Sequence, residues 1–208
     1  MQEYITVKEK AEAELIEKRS RFIAHVYPIK SEAEALEHIA NAKKKYWDAR
    51  HNVYAYILRE GGICRYTDDG EPSGTAGVPT LNVLQKRGVT DCLVIVTRYF
   101  GGVLLGTGGL VRAYSSAAAL GLDEAGIVKA TPCTLFSVSC PYPDYEQLLR
   151  LTESENVVVD STEFLDEVTL NLLIKSDDYD AFKNKLTDKF CDRLKPEFIG
   201  EKYGFFDE

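Results

Sequence analysis

The chain has 208 residues, enough for one large core or two small ones, and its formal net charge of −8 at pH 7 argues against a general nucleic-acid binder. No apolar run approaches the roughly 18–20 residues of a membrane-spanning helix, and the charged N-terminus lacks the apolar core of a signal peptide. The five cysteines include no C-x-x-C pair, which argues against a disulfide framework and a structural zinc site. We therefore expect a cytoplasmic protein with no membrane contact, no metal and no cofactor.

The first half of the sequence predicts a mixture of strands and helices. Alternating apolar residues indicate strands, and the uninterrupted apolar run that starts at Cys92 indicates a central strand buried on both faces. Ser31, followed three residues later by Glu34, is typical of a capped helix start. The predicted strands are residues 20–27, 53–58, 63–67 and 92–99, and the predicted helices are residues 32–46, 81–87 and 110–125. An extension of the second helix back to residue 76 is the alternative. The apolar face of the first helix is predicted to contain Ala35, Leu36, Ile39, Ala42 and Tyr46.

The last third predicts a second domain. Eleven of the 15 glycines lie between Gly61 and Gly109, and the segment Ala130-Thr131-Pro132 marks a change in composition. Beyond it, the pattern predicts strands at 134–140, 156–164, 167–174 and 196–200, and helices at 143–154 and 178–190. This β-α-β-β-α-β order is the ferredoxin-like plan. The expectation is an α+β fold with domains at residues 1–130 and 131–208.

The charges are unevenly distributed along the chain. Residues 41–112 contain ten basic and six acidic side chains, whereas residues 113–208 contain nine basic and nineteen acidic ones. This asymmetry suggests an anionic partner for the middle segment. An acidic tail that only keeps the protein soluble is the alternative.

A glycine-rich loop leads into the helix predicted at residue 110. Free backbone N–H groups at a helix start attract phosphate or carboxylate, and nearby arginines would add bidentate contacts. The spacing matches neither a Walker A motif nor a dinucleotide-binding fingerprint. Glycines that only allow a tight crossover are an equally good explanation. The predicted anion- or nucleic-acid-binding residues are Arg65, Arg98, Gly106, Thr107, Gly108, Gly109 and Arg112.

An earlier loop concentrates acidic side chains. Asp68, Asp69 and Glu71 lie within four residues, so they are candidates for holding a divalent cation or for transferring protons. We favour the alternative, in which the aspartates accept hydrogen bonds from turn N–H groups and Glu71 bonds nearby backbone. No residue is assigned a catalytic role.

Basic residues alternate with two aromatic ones just before the second strand. Lys43, Lys44 and Lys45 precede Tyr46 and Trp47, an arrangement that allows phosphate contacts and base stacking. The alternative, which is preferred for Trp47, is a solvated helix end with both rings in the core. His51 is expected to be a hydrogen-bonded structural histidine rather than a catalytic one.

The two glycine-rich loops resemble those of the IMPACT family, whose bacterial members include YigZ. The matching stretches are YTDDGEPSGTA at 66–76 and VIVTRYFGGVLLGTGG at 94–109, and the wider resemblance covers about the whole chain. It implies an N-terminal domain like domain 2 of ribosomal protein S5. It also implies a C-terminal domain similar to the last domain of elongation factor G.

The resemblance implies a role in translation regulation through RNA or ribosome binding. Because fold alone does not decide function, two alternatives stay open. One is an enzyme that acts on a small phosphorylated or carboxylate ligand, which requires a deep pocket joining both loops. The other is a protein-interaction adaptor with a protein partner, in which both loops are structural. Our prediction is a non-catalytic binding protein, and the sequence leaves its oligomeric state open.

Overall fold

The computed structural model describes residues 1–206. Its chain divides into two compact units, one formed by Tyr4–Lys129 and the other by Met1–Glu3 together with the segment from Ala130 onward. The described residues form antiparallel sheets and five α-helices, so the predicted α+β class is confirmed. None of the five helices among these residues has both the length and the apolar composition that crossing a membrane requires.

The N-terminal unit, residues 4–129, is built on a five-stranded antiparallel sheet. Its elements are β1 Tyr4–Val7, β2 Ala11–Glu17, β3 Ser20–Pro28, α1 Glu32–Lys45, β4 His51–Leu58, β5 Ile63–Thr67, α2 Gly77–Lys86, β6 Cys92–Tyr99 and α3 Thr107–Ala125. The strand order is β2-β3-β6-β4-β5. The central position predicted for β6 is therefore confirmed.

Strand β6 is buried on both faces because a helical layer covers each side. Val94 and Val96 belong to the core cluster that includes residues of α2 and α3. Leu93 and Ile95 belong to a separate cluster that includes residues of α1. The alternation of strand side chains thus assigns the apolar residues 92–96 of β6 to one of two cores.

Helix α1 begins as the sequence predicts. The Ser31 hydroxyl accepts a hydrogen bond from the backbone N–H of Glu34 at 3.2 Å. Ala35, Ile39 and Ala42 face the core as expected, but Leu36 is 55% exposed. Leu36 follows Ala35 by one position, about 100° around the helix, so it cannot share the same narrow face.

Three parts of the N-terminal unit differ from the prediction. Strands β1 and β2 were not predicted, because residues 11–17 are rich in glutamate and pack only small or single apolar side chains such as Ala11 and Leu15 on the core. Helix α2 begins at Gly77 rather than at residue 81, which agrees with the longer alternative for this helix. Helix α3 begins at Thr107, so Gly108 and Gly109 are helical rather than part of the loop.

The C-terminal unit has the predicted β-α-β-β-α-β order. Its elements are β7 Ile127–Cys140, α4 Tyr142–Ser154, β8 Val158–Phe164, β9 Val168–Lys175, α5 Tyr179–Phe190 and β10 Pro196–Phe205. Across the sheet these strands run in the order β10-β7-β9-β8, and their pairings are antiparallel. Phe136, Leu170 and Leu172 pack against Phe182 and Leu148, so the two helices bury one face of the sheet.

The element at the junction is a strand rather than a break. Residues 130–132 lie inside β7, whereas α3 ends earlier, at Gly126. Gly126 has φ 69°, a conformation that favours glycine and stops the helix. The end predicted for this helix, at residue 125, is therefore confirmed.

Candidate functional site

Both glycine-rich loops lie at the same end of the N-terminal sheet. The register pairs Arg21 of β3 with Tyr99 of β6, and Arg98 of β6 with His51 of β4. The β2–β3 turn, the start of β4 and the loop after β6 therefore lie at the same end. We call the exposed side chains here the strand-end surface, which consists of Lys18, Arg19, Trp47, Arg50, Phe100 and Leu104.

Asp68 organises the first loop as a helix cap. Its Oδ1 accepts hydrogen bonds from the backbone N–H groups of Ala76 at 3.0 Å and Gly77 at 2.8 Å, and its Oδ2 accepts one from Gly74 at 2.8 Å. These donors include the N–H groups at the start of α2, which have no partner inside the helix. A Cβ at Gly77 would lie 2.6 Å from the Thr67 carbonyl oxygen, so the loop closes tightly.

Asp69 connects the first loop to α1 and β4. Its Oδ1 lies 3.0 Å from Lys43 Nζ, and its Oδ2 accepts a 2.7 Å bond from the backbone N–H of Asn52. Its carbonyl oxygen lies 2.8 Å from His51 Nδ1. This bond places a proton on Nδ1 and holds the ring, which is the hydrogen-bonded arrangement expected for His51.

Glu71 forms a buried ion pair. Its side chain is 3% exposed, and its Oε1 lies 2.6 Å from Nη1 of Arg98, whose side chain is 7% exposed. The hydroxyl of Tyr114 donates to the same oxygen at 2.8 Å. Burial and the neighbouring Glu71 carboxylate raise the pKa of Tyr114 far above its usual range. Nε2 of His51 lies 3.8 Å from Glu71 Oε1.

The three carboxylates of the first loop therefore have separate partners. Asp68 binds backbone N–H groups, Asp69 binds Lys43 and the chain of β4, and Glu71 binds side chains rather than the backbone expected for it. Within residues 1–206, no three or more His, Cys, Asp or Glu side chains are grouped so that they could hold a metal ion.

The predicted anion-binding arginines do not lie together. Arg65 pairs in register with Tyr56, which belongs to the α1-side core, and its Nε lies 3.7 Å from Glu32 Oε1. Arg98 is on the opposite face, where its guanidinium lies 5.4 Å from the centre of the Phe22 ring. Since its charge is matched by Glu71, Arg98 holds the loops together from inside.

The start of α3 has the features expected of an anion contact. Gly106 precedes the helix with φ 73°, and no side chain caps the first turn. The Nη1 atom of Arg112 lies 3.7 Å from the position that a Cβ on Gly108 would occupy, so its charge is beside the helix start. A cavity of about 230 Å³ here is lined by residues that include Lys18, Gly109 and Arg112, but by none of the first loop.

Gly101 joins the second loop to the β2–β3 turn. Its backbone N–H donates to the Ser20 hydroxyl at 3.2 Å. A Cβ at this position would lie 2.0 Å from the carbonyl carbon of Arg19, a distance no side chain tolerates. This glycine is therefore required by close packing, which is the structural explanation for part of the motif.

The strand-end surface combines exposed rings with basic side chains. Trp47 is 82% exposed, so the preference for a buried Trp47 was wrong: it follows the last turn of α1 and projects beyond the core. Phe100 and Leu104 are also exposed. Asp48, next to Trp47, is bonded to the Tyr99 hydroxyl at 2.9 Å. Lys18, Arg19, Phe100 and Leu104 were missed as candidates, although apolar residues in a glycine-rich loop are a usable signal.

Family models match most of the chain. The Impact N-terminal domain matches residues 18–122, and a domain of unknown function (DUF1949) matches residues 138–193. A solved structure, described as the crystal structure of a hypothetical protein, is similar with a TM-score of 0.60 and 28% sequence identity. The similarity covers 96% of this chain and 98% of that one, and it supports the overall fold.

Curated relatives are similar over most of their length. IMPACT family member YvyE of Bacillus subtilis is 38% identical over 186 residues, which are 89% of this chain and 86% of the relative. An IMPACT family member of Haemophilus influenzae is 36% identical, with coverage of 93% and 96%. IMPACT family member YigZ of Escherichia coli is 30% identical, with coverage of 82% and 85%.

Proposed function

We propose that this chain, which belongs to the IMPACT family, is a non-catalytic protein. In this proposal it binds single-stranded RNA through its strand-end surface. The observation that carries this proposal is the exposed Trp47 ring at the end of the sheet where Lys18, Arg19 and Arg50 are also exposed. Bases stack on such rings whatever their sequence, and lysines and arginines contact the phosphates.

The net charge of −8 does not oppose this proposal. The basic excess lies in residues 41–112, which include Trp47, Arg50 and Arg112, while residues 113–208 hold most of the acidic side chains. Attraction of a polyanion depends on the local field rather than on the total charge. The acidic C-terminal part would repel polyanions and so reduce non-specific binding.

The glycine-rich loops have two different tasks in this proposal. The start of α3 and Arg112 contact a phosphate, since the helix start offers free N–H groups beside a guanidinium. Arg98 and Glu71 do not contact RNA. Their buried pair fixes the loops from which Phe100 and Leu104 project.

The biological setting is part of the same proposal. We propose an N-terminal domain, residues 1–130, like domain 2 of ribosomal protein S5, and a C-terminal domain, residues 131–208, like the last domain of elongation factor G. The antiparallel β-α-β-β-α-β order of the second part supports the latter. A cytoplasmic role in translation regulation, with RNA or the ribosome as partner, follows from these likenesses.

Fluorescence anisotropy with a short labelled single-stranded RNA tests the proposal. Affinity should fall as salt rises from about 50 to 200 mM, because released counterions drive phosphate binding. Trp47→Ala should weaken binding by about tenfold, the loss of one stacked base. The control is Phe198→Ala, which removes another exposed ring, from β10 of the C-terminal unit, and should leave RNA affinity unchanged.

If the labelled RNA does not bind at low salt, the proposal is wrong. The adaptor function would then be favoured by a separate observation, the exposed apolar side chains Phe198, Ile199 and Phe205 along β10. Binding that is salt-tolerant and equally strong for Trp47→Ala would contradict a role for the strand-end surface. A melting shift with one small phosphorylated molecule, but none with RNA, would instead favour the enzyme.

A further inference from the structure

A second cavity lies on the α1 side of the N-terminal sheet, where β2 and β3 extend beyond the helix. Its volume is about 330 Å³, and it is lined by Lys10, Ala11, Glu12, His25 and Tyr27. This volume is at the lower end of the range for small-molecule sites, the size of a nucleobase or nucleoside. None of these residues belongs to the strand-end surface.

His25 lines this cavity, and one of its two ring nitrogens has no hydrogen-bond partner. Its side chain is only 4% exposed, and its Nδ1 lies 3.2 Å from Glu12 Oε2. Burial lowers the pKa of His25, so the ring is neutral at neutral pH with its proton on Nδ1 facing the carboxylate. The buried Nε2 then accepts, yet no described group donates to it. Such an atom is costly to leave unpaired, and a ligand N–H that reached it would remove the cost.

Aromatic rings line and support the same cavity. Tyr27 lies parallel to His38, with ring centres 4.2 Å apart and planes at 11°. His25 is stacked on Tyr46 at 4.9 Å, and Lys45 Nζ lies 4.7 Å from the centre of the Tyr46 ring. These stacked pairs form flat, rigid surfaces suited to another planar ring.

Two opposite charges stand beside these rings. Glu12 is partly exposed, and its Oε1 has no partner in residues 1–206, because His25 and Lys45 both contact Oε2. Lys10 makes no ion pair or side-chain hydrogen bond within the same residues. The cavity therefore offers a carboxylate oxygen, a mobile ammonium group and an aromatic surface.

We propose that this cavity binds a guanine base. The base stacks on Tyr27, donates its adjacent N1–H and N2–H groups to the Glu12 carboxylate, and accepts from Lys10 at O6 or N7. The remaining amino hydrogen faces the His25 side of the cavity.

The carboxylate selects guanine over the other three bases. Guanine alone presents two neighbouring donors on its Watson–Crick edge. Adenine and cytosine place a ring acceptor beside their amino group, and uracil flanks its single N–H with two carbonyls, so each would turn a lone pair toward Glu12. Two acceptors that face each other repel, so each of these bases loses a hydrogen bond and also gains an unfavourable contact with the carboxylate.

The base recognised here can belong to a free nucleotide or to an RNA strand. The last turn of α1, with Lys43, Lys44 and Lys45, leads from the neighbourhood of His25 to Trp47. A strand bound at the strand-end surface could therefore extend toward the cavity. Guanine binding itself goes beyond the proposed function and does not depend on it.

NMR titration of the full ¹⁵N-labelled chain with GMP, AMP, CMP and UMP tests the inference. GMP should shift the amide signals of Ala11, Glu12, His25 and Tyr27, with an affinity about tenfold above the other three. Glu12→Gln should lower GMP affinity about tenfold and erase the preference, because the amide can accept only one of the two N–H groups. The matched control is Glu14→Gln, two residues along the same face of β2 but outside the cavity.

Equal shifts with all four nucleotides would overturn the inference, as would equal losses in Glu12→Gln and Glu14→Gln. Tyr27→Leu provides a second variant. It should lower the affinity for GMP without changing which nucleotide binds most tightly. Unchanged amide spectra away from the cavity show that each variant is folded. If RNA binding at Trp47 remains salt-dependent while no guanine preference is found, the inference fails and the proposed function stands.

Short RNAs identify the source of the base. Five-nucleotide strands with and without one guanine are compared with GMP on the same amide signals. Tighter binding of the guanine-containing strand, reduced by both Glu12→Gln and Trp47→Ala, assigns the cavity to RNA. Binding of GMP that neither RNA exceeds assigns it to a free nucleotide.

Discussion

The ion pair between Glu71 and Arg98 should dominate the stability of the N-terminal unit. Glu71→Ala removes the acceptor of both the Arg98 guanidinium and the Tyr114 hydroxyl, at 2.6 and 2.8 Å. Both side chains are almost fully shielded from water, so the orphaned charge cannot be resolvated without opening the loops. Breaking a buried pair from one side costs about 3–5 kcal/mol.

The chain provides a matched control at its surface. Glu14 and Arg21 form a two-bonded ion pair with both distances at 2.9 Å, but their side chains are 39% and 50% exposed. Glu14→Ala should therefore destabilise the fold much less than Glu71→Ala does. Both pairs join a glutamate to an arginine, so the comparison tests how much burial contributes to the cost.

Urea unfolding followed by circular dichroism measures both costs. Hydrogen exchange of β6 amides should accompany it, because the two units can unfold separately and β6 reports on the N-terminal one. The double variant Glu71→Leu with Arg98→Met should recover much of the loss, since it leaves no unpaired charge. A cost for Glu71→Ala no larger than for Glu14→Ala would refute this account of the buried pair.

Three further expectations test other parts of the N-terminal unit. Burial lowers the pKa of His25, so the unfolded chain binds its proton more readily; stability should fall as pH drops below 6.5, by at most about 1.4 kcal/mol per pH unit. The stability of His25→Gln, measured by denaturation across the same pH range, should fall less steeply at low pH. Identical stability–pH profiles for the variant and the unmodified protein would contradict this role of His25. Asp68→Ala removes the acceptor of three backbone N–H groups and should cost about 1–3 kcal/mol, with faster hydrogen exchange confined to the start of α2. Gly101→Ala should lower the melting temperature because its Cβ overlaps Arg19. Gly108→Ala should not, because its Cβ would only make an ordinary 3.7 Å contact with Arg112 Nη1; equal effects would contradict the close-packing argument.

Local patterns were sufficient for much of the fold. The apolar run of β6 predicted a strand with a core on each side, and the spacing of Ser31 and Glu34 predicted the start of α1. In the C-terminal unit, alternation and helical periodicity gave the element order correctly. Each of these signals lies within a few residues of the chain, so neighbours in sequence determine it.

The candidate site depends on contacts that no local pattern contains. Glu71 and Arg98 are separated by 27 positions, and Glu71 and Tyr114 by 43. The acidic loop was therefore interpreted as a possible metal site or a turn, whereas Glu71 is in fact half of a buried pair. The exposure of Trp47 depends on where α1 stops relative to β4, which sequence spacing alone does not determine.

The most distinctive motif residues are thus mainly those that hold the loops, and the proposed RNA contacts lie beside them. Arg98 and Arg112 illustrate the difference, because both are arginines of the same glycine-rich motif. Arg98→Met should reduce RNA binding only as far as it destabilises the loops, and the loss should be restored by Glu71→Leu in the same chain. Arg112→Met should leave the melting temperature unchanged and reduce the salt dependence of binding by about one phosphate contact. Rescue of Arg112→Met by Glu71→Leu would mean that the contact was assigned to the wrong arginine.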